Sequence, residues 1–254
     1  MVRTENLSKH FTDHKKNVIK AVDGVSIAAH PGQVTGLLGV NGAGKTTVLR
    51  MLSTVLKPTG GRAEIAGYDV VEHPEMVRRV IGFMSTSTAL YGRLTAIETL
   101  RYFGGLFGLS GAELDSRLSF VIDKLDLHEF KDRLNDKLST GQKQRVSIAR
   151  TILHDPPVLF FDEPTSGLDV VMSQSVMEFI EEARAQGKTV VYCTHIMSEV
   201  ERLCDQVFVI HDGVIKGEGT VSELKSTTGE QSLEKAFLSL VGALKTPEPE
   251  TVGI

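Results

Sequence analysis

A length of 254 residues, 41% hydrophobic and 24% charged, describes an ordinary globular protein with one large domain or a core with one insert. The formal charge of -4 argues against a protein whose main task is to coat nucleic acid. Apolar runs such as residues 158–161 are far shorter than the roughly 18 to 20 residues needed to span a bilayer, so any membrane role is expected to come from a partner. The opening MVRTENLSKHF lacks the apolar run of a signal peptide, and none is expected. Cys193 and Cys204 lie in apolar contexts outside any CxxC or CxxH pattern and read as reduced, mostly buried thiols, not metal ligands.

The first segment reads as β-rich. Residues 22–27 (VDGVSI) and 34–38 (VTGLL) flank His30-Pro31-Gly32, a turn signal, and the second run is apolar throughout, as expected for a strand covered on both faces. A helix is expected over residues 45–56, closed by Pro58 and Gly60-Gly61. A short strand follows at 63–66, and Pro74 suits the first turn of a helix reaching Val80. From 85 to 156 the pattern turns helical. Thr95 and Glu98 form a capping box opening a helix at 96–107. Leu114, Leu118, Val121, Ile122 and Leu125 share one helical face over 111–125, and a third helix begins after Ser139 and runs to about Leu153.

Strands return at 158–161 and 189–193, separated by an amphipathic helix over 170–186 that Gly187 stops. Residues 207–210 and 214–216, joined by His211-Asp212-Gly213, read as a hairpin. Thr220 and Glu223 form another capping box, and the end, 246–254, is expected to be frayed or disordered. The sum is an α/β core interrupted by a helical insert.

Three elements carry chemistry. The loop GVNGAGKTT (39–47) follows an apolar strand and opens a helix. Its glycines Gly39, Gly42 and Gly44 let backbone amides turn inward on phosphates, and the helix N-terminus adds a favourable dipole. Lys45 would neutralise the terminal phosphates and the Thr46 hydroxyl would bind Mg²⁺, with Asn41 and Thr47 completing the loop. The strand VLFFD followed by Glu163 places Asp162 at the carboxyl edge of a parallel sheet, where it can hold Mg²⁺ through water while Glu163 orients the attacking water. Taken singly, two acids at a strand end are also an ordinary way to meet solvent. In the third element, Leu138-Ser139-Thr140-Gly141-Gln142, Ser139 is a natural N-cap and Gly141 leaves the helix start open to close approach. By itself it reads as an ordinary capped helix.

In combination, the chain resembles the nucleotide-binding subunit of an ATP-binding-cassette (ABC) transporter. The loop at 39–47 resembles Walker A, residues 138–142 the LSGGQ signature with Thr140 replacing glycine, and residues 158–163 Walker B with its glutamate. Ser166-Gly167-Leu168-Asp169 resembles the D-loop, Thr194-His195 the switch histidine, and Phe11 the aromatic that stacks on adenine. The order and spacing match over residues 2–224.

The resemblance implies a P-loop NTPase (RecA-like) core with an antiparallel β subdomain and an inserted helical subdomain. On this reading 1–84 and 157–224 form the core, 85–156 the insert and 225–245 a C-terminal helical extension. It further implies an ATPase in which two cassettes, identical or not, close head to tail. Each ATP and Mg²⁺ would lie between one Walker A and the partner's Ser139, Gly141 and Gln142, with Asp169 at the interface. Glu163 and His195 would be catalytic, and Thr46 and Asp162 would hold the metal. The implied partner is an integral-membrane permease, the implied place is cytoplasmic and peripheral on the inner face of the cell membrane, and no nucleic acid is expected.

One departure concerns the glutamine that the family usually places near the start of the insert, where Thr86 stands here. Residues 89–95, 192–205 and 232–242 are similar to ABC-2 exporter cassettes, and the glutamine-lacking segment to NatA-like sodium-extrusion ATPases. Tyr91, Leu94, Phe103 and Phe107 are candidates for a groove receiving a membrane subunit's helix, or for the insert's own core. Two other readings are a soluble ABC ATPase acting on the ribosome or nucleic acid, and an ATP-gated regulatory module.

Overall fold

The computed structural model describes residues 1–12, 14–85 and 90–243. Two sheets organise it. The first is antiparallel and is built on β1 (Val2–Thr12), which pairs with β2 (Val18–Val25), β3 (Ala28–Ala29) and β5 (Gly60–Ile65), with β6 (Tyr68–Asp69) beyond β5. Val2, Thr4 and Leu7 of β1 turn inward, and the inward phase shifts at Asn6, whose φ of 48° accompanies an irregular register.

The second sheet runs β11-β10-β4-β9-β8-β7. Its strands are β4 (Val34–Leu38), β7 (Ile81–Ser85), β8 (Val158–Asp162), β9 (Thr189–Thr194), β10 (Gln206–His211) and β11 (Val214–Gly219). Pairing is parallel from β10 to β7, and β11 returns antiparallel on β10. Every residue of β4, β8 and β9 is buried, as central parallel strands covered on both faces must be.

Strand alternation divides two hydrophobic cores between the faces. Leu37, Phe160, Val191 and Cys193 meet Val48, Leu49, Met51 and Leu52 of α1 (Lys45–Leu52), together with Leu7, Val22 and Val25 of the antiparallel sheet. Leu159, Phe161, Val190 and Tyr192 face α3 (Ala96–Leu106), α4 (Gly111–Lys124), α5 (Thr140–Ile152) and α6 (Val170–Ala185). A third cluster joins Val207 and Val209 to α7 (Met197–Leu203), α8 (Val221–Thr228) and α9 (Leu233–Leu240) through Val200, Leu224, Leu233 and Phe237. α9 is thus docked on the sheet side through Leu233 and Phe237.

Local signals acted as their chemistry requires. α2 (Pro74–Val80) starts at its proline, and Thr95–Glu98 and Thr220–Glu223 both close reciprocal capping boxes. The helix expected over 45–56 ends at Leu52, because Ser53 caps it and Thr54 takes a left-handed φ of 63°. The strand expected at 22–27 runs instead from Val18 to Val25, paired along β1. The sequence pattern does not mark β1, β7 or α7. β1 mixes polar and apolar residues because one of its faces stays solvated, and β7 and α7 are too short to show a period. Thr86 and the tail 246–254 lie outside the described residues.

Between the helices of the insert, Asn135 is 1% exposed and its amide donates to Tyr91 O at 2.9 Å and Thr99 Oγ1 at 2.7 Å. Asn135→Ala deletes both hydrogen bonds, each worth about 0.5–1.5 kcal/mol, and is expected to lower stability by about 1–3 kcal/mol. Urea unfolding should show a lower midpoint at unchanged slope.

Candidate active site

The carboxyl ends of β4, β9 and β8 lie level, since Leu38 pairs with Thr194 and Cys193 with Asp162. The loop after β4, the histidine after β9 and the two acids of β8 therefore open onto one cavity of about 410 Å³. The loop is held by backbone that tolerates no side chain. Gly44 has a φ of 111°, and a Cβ there would lie 2.7 Å from Ala21 O, while one on Gly39 would lie 2.5 Å from Ile210 O. Gly44 is also the N-cap of α1 and offers no side chain to its first-turn amides. Those amides need another acceptor.

Lys45 is 4% exposed. Its Nζ donates to Gly39 O at 2.7 Å and Val40 O at 3.2 Å, and pairs with Glu163 Oε1 at 3.1 Å. The other oxygen of Glu163, Oε2, meets His195 Nδ1 at 2.6 Å. Successive strand residues normally face opposite sides of a sheet. Glu163 avoids this by a left-handed φ of 52°, held by its amide donating to Cys193 O at 2.9 Å, so both acids reach the cavity. Such backbone costs about 1–3 kcal/mol and is kept where the surroundings enforce it. Asp162 accepts from Thr46 Oγ1 at 3.2 Å. Burial pushes its carboxyl above the ordinary value, opposed by the Thr46 hydrogen bond and reinforced by the neighbouring Glu163 charge.

Asn41, Gly42, Gly44, Lys45, Thr46, Thr47, Asp162, Glu163 and His195 all line the cavity, and Gly39 supports it from behind through its carbonyl. Ala21 and Ser166 line it too. Ala21 comes from the antiparallel sheet and carries no functional group that sequence reasoning could have singled out. The arrangement suits a polyphosphate and its cation: a buried ammonium and uncapped helix amides face one side of the cavity, and a hydroxyl–carboxylate pair of the kind that ligates Mg²⁺ faces the other.

Phe11, Ser139, Gly141, Gln142 and Asp169 do not line this cavity. Phe11 is 39% exposed near the end of β1, with Lys9 Nζ 5.3 Å from its ring centroid. Ser139 caps α5: Gln142 N donates to its Oγ at 3.2 Å, and its own amide donates to Gln142 Oε1 at 3.0 Å. Asp169 caps α6, accepting from Met172 N at 2.9 Å. A Cβ on Gly141 would meet Met172 at an ordinary 3.5 Å, so neither conformation nor packing within the chain demands glycine there.

A second, apolar groove of about 240 Å³ is lined by Phe83, Phe103, Phe107, Arg150 and His154 among others. Tyr91 and Leu94 lie off it, and Tyr91 stacks on Phe103 with ring centroids 6.4 Å apart. Burial holds His154 down to about 4, its ring stacked 3.6 Å from Phe107 and its Nε2 paired with Ile81 O.

A family model described as ABC transporter matches residues 22–166. The NatA ATP-binding protein of Bacillus subtilis is 40% identical over 240 residues, spanning 94% of this chain and 97% of its own. The daunorubicin/doxorubicin resistance ATP-binding protein DrrA of Streptomyces peucetius is 39% identical over 217 residues, and the match covers 85% of this chain and 66% of that protein. The chain spans 42% of the longer YbhF of Escherichia coli, a probable multidrug ABC transporter ATP-binding protein, at 35% identity. Among solved structures, an ATP-binding subunit of an ABC transporter superposes with TM-score 0.85 at 30% identity, over 94% of this chain and 99% of that one. A dimeric MJ0796 cassette bound to ADP and Pi gives TM-score 0.79 at 27% identity, over 87% and 99%. The two sheets are thus a P-loop NTPase (RecA-like) core and its antiparallel β subdomain.

Asp162 is destabilising when charged, because its elevated pKa marks a native state that resists ionisation. The penalty is absent below the unfolded-state pKa and complete above the native one, so it grows as pH rises. Asp162→Asn is expected to stabilise the nucleotide-free protein at neutral pH. Thermal melts should show this gap closing on acidification, and Mg²⁺-dependent nucleotide affinity should be lost.

Proposed function

The chain belongs to the ABC transporter family and hydrolyses ATP, and on that premise we propose that it powers export through a separate integral-membrane permease, as one of two cassettes closing head to tail. The observation that carries the pairing is the separation of the two anion-binding ends. Lys45 and the α1 amides face the chain's own cavity, while Ser139 and Gly141 stand outside it with a glycine that the chain itself does not need. A partner's nucleotide explains that glycine: its lack of a side chain admits a phosphate against the N-terminus of α5. Dimeric solved relatives support the same pairing.

Within each site Lys45 exchanges Glu163 and the two carbonyls for phosphate oxygens, which frees Glu163 Oε1 to orient the attacking water and accept its proton. His195 keeps Glu163 Oε2 in place and presents its other ring nitrogen to the terminal phosphate. Thr46 and Asp162 would hold Mg²⁺, which offsets charge on the transferring phosphoryl group. Asp169 and the partner's equivalent meet across the interface, and Phe11 stacks on adenine.

Among the described residues no helix is long and apolar enough to cross a membrane. The permease would dock a short helix in the groove of Phe83, Phe103 and Phe107, holding the cassette at the inner membrane face. The reading as an ABC-2 exporter of sodium, another small ion or a drug rests on likeness to NatA and to resistance proteins such as DrrA.

Glu163→Gln is expected to retain ATP affinity while turnover falls about 10²–10⁴-fold; normal turnover would remove Glu163 from this role. Lys45→Ala and Ser139→Ala should each be inactive alone, yet their mixture should recover roughly a quarter of wild-type turnover, because half the dimers would carry one intact site. Failure of the mixture to recover would count against the shared site. Purification from membranes in detergent should retain a multi-helix partner, whereas ribosomal or DNA partners would refute the export reading.

A further inference from the structure

Directly behind the cavity wall lies a buried carboxylate that the mechanism above does not use. Glu199, on α7, is 6% exposed and accepts three hydroxyl hydrogen bonds. Thr165 Oγ1 donates to its Oε1 at 2.6 Å, and Tyr192 OH and Thr194 Oγ1 donate to its Oε2 at 2.8 Å each. Thr165, Tyr192 and Thr194 are themselves 5%, 0% and 1% exposed. Among the described residues Glu199 makes no ion pair. A buried carboxylate without a cation is costly, and short bonds from neutral hydroxyls are what offset it here. An apolar residue of similar volume would fill the space with no such demand.

The donors come from two segments that each continue into the site. Tyr192 and Thr194 are two residues apart on β9 and so point to the same face, and His195 follows at once. Thr194 Oγ1 also accepts from Ile196 N at 3.1 Å, bracketing His195 on both sides. Thr165 immediately precedes Ser166, which lines the cavity, and stands four residues before Asp169. Behind Glu199, α7 is anchored through Val200 to Leu233 and Phe237 of α9.

We propose that Glu199 is a positioning residue that holds His195 against Glu163 and ties that placement to the loop carrying Ser166 and Asp169. Through it, the phosphate-facing histidine and the loop facing the partner cassette keep one relative arrangement. The inference rests on the role assigned to His195 above.

The test is steady-state ATP turnover of the full chain with Mg-ATP. Glu199→Gln keeps the volume but replaces one accepting oxygen by a donor, so kcat should fall roughly ten- to a hundredfold, the scale of small misplacements remote from the chemistry. KM and ATP affinity should stay within about twofold. Thr165→Val should reproduce the loss in part, and Thr165→Ser, which restores the hydroxyl, should recover it. In a His195→Ala background Glu199→Gln should add no more than about twofold, since residues acting as one unit are not additive. Should Glu199→Gln fail to fold, Tyr192→Phe, which removes one donor and keeps the ring, carries the same expectation. A lower Tm with kcat preserved, a KM rise in step with the kcat loss, or full multiplication with His195→Ala would each overturn the proposal. If His195→Ala is itself as active as wild type, the reading of the site falls and this inference with it; an impaired His195→Ala beside a normal Glu199→Gln overturns the inference alone.

Discussion

The parallel pairing of β9 between β4 and β8 is the constraint from which the site follows. Register places Leu38 beside Thr194 and Asp162 beside Cys193, so the chain leaves three neighbouring strands at one level. Crossover connections put helices on the faces of such a sheet, and the apolar runs of β4, β8 and β9 are the covering that this burial requires. A slip of one residue in any of the three would exchange the side chains that fill the two cores and move a functional group away from the cavity. Packing and chemistry are therefore specified by the same register.

Charge in the cavity is balanced by geometry more than by solvent. Lys45 and His195 divide the oxygens of Glu163 between them, while Asp162 accepts from the Thr46 hydroxyl and burial raises its carboxyl above the ordinary value. On the proposed reading a polyphosphate and a divalent cation would satisfy both ends of that imbalance, anion to Lys45 and cation to Asp162. The backbone carries a share as well: the left-handed residue at Glu163 turns two adjacent acids to one side, and the glycines at 39 and 44 let the loop pass against Ile210 and Ala21. The helix start at Ser139 is closed by its own reciprocal cap with Gln142 and stands outside the cavity.

The buried hydroxyl cluster around Glu199 adds a second level to this design. Its bonds run between β9, α7 and the loop after β8, and α9 braces α7 from the far side. The C-terminal helices are thereby connected to the cavity by two steps of contact, apolar on the outside and hydrogen-bonded within. Such a network is rigid only when every member is satisfied, which gives each hydroxyl a role beyond filling space.

The sequence by itself determined the features that depend on neighbours a few residues away. Capping boxes at Thr95 and Thr220, the proline start of α2, the fully apolar strands and the glycine-rich loop all follow from local stereochemistry, and the motif order was sufficient to identify the family. It left β1 unmarked because a half-solvated strand of mixed polarity has no distinctive period, and it overran α1 because nothing local forbids a threonine from continuing a helix. Only the tertiary structure decided which groups share a carboxylate. Ala21 in the cavity wall and Thr165, Tyr192 and Thr194 around Glu199 are brought together by sheet register and helix packing. Contacts between residues far apart in the chain carry no local stereochemical signal, and they exist only once the strands have paired.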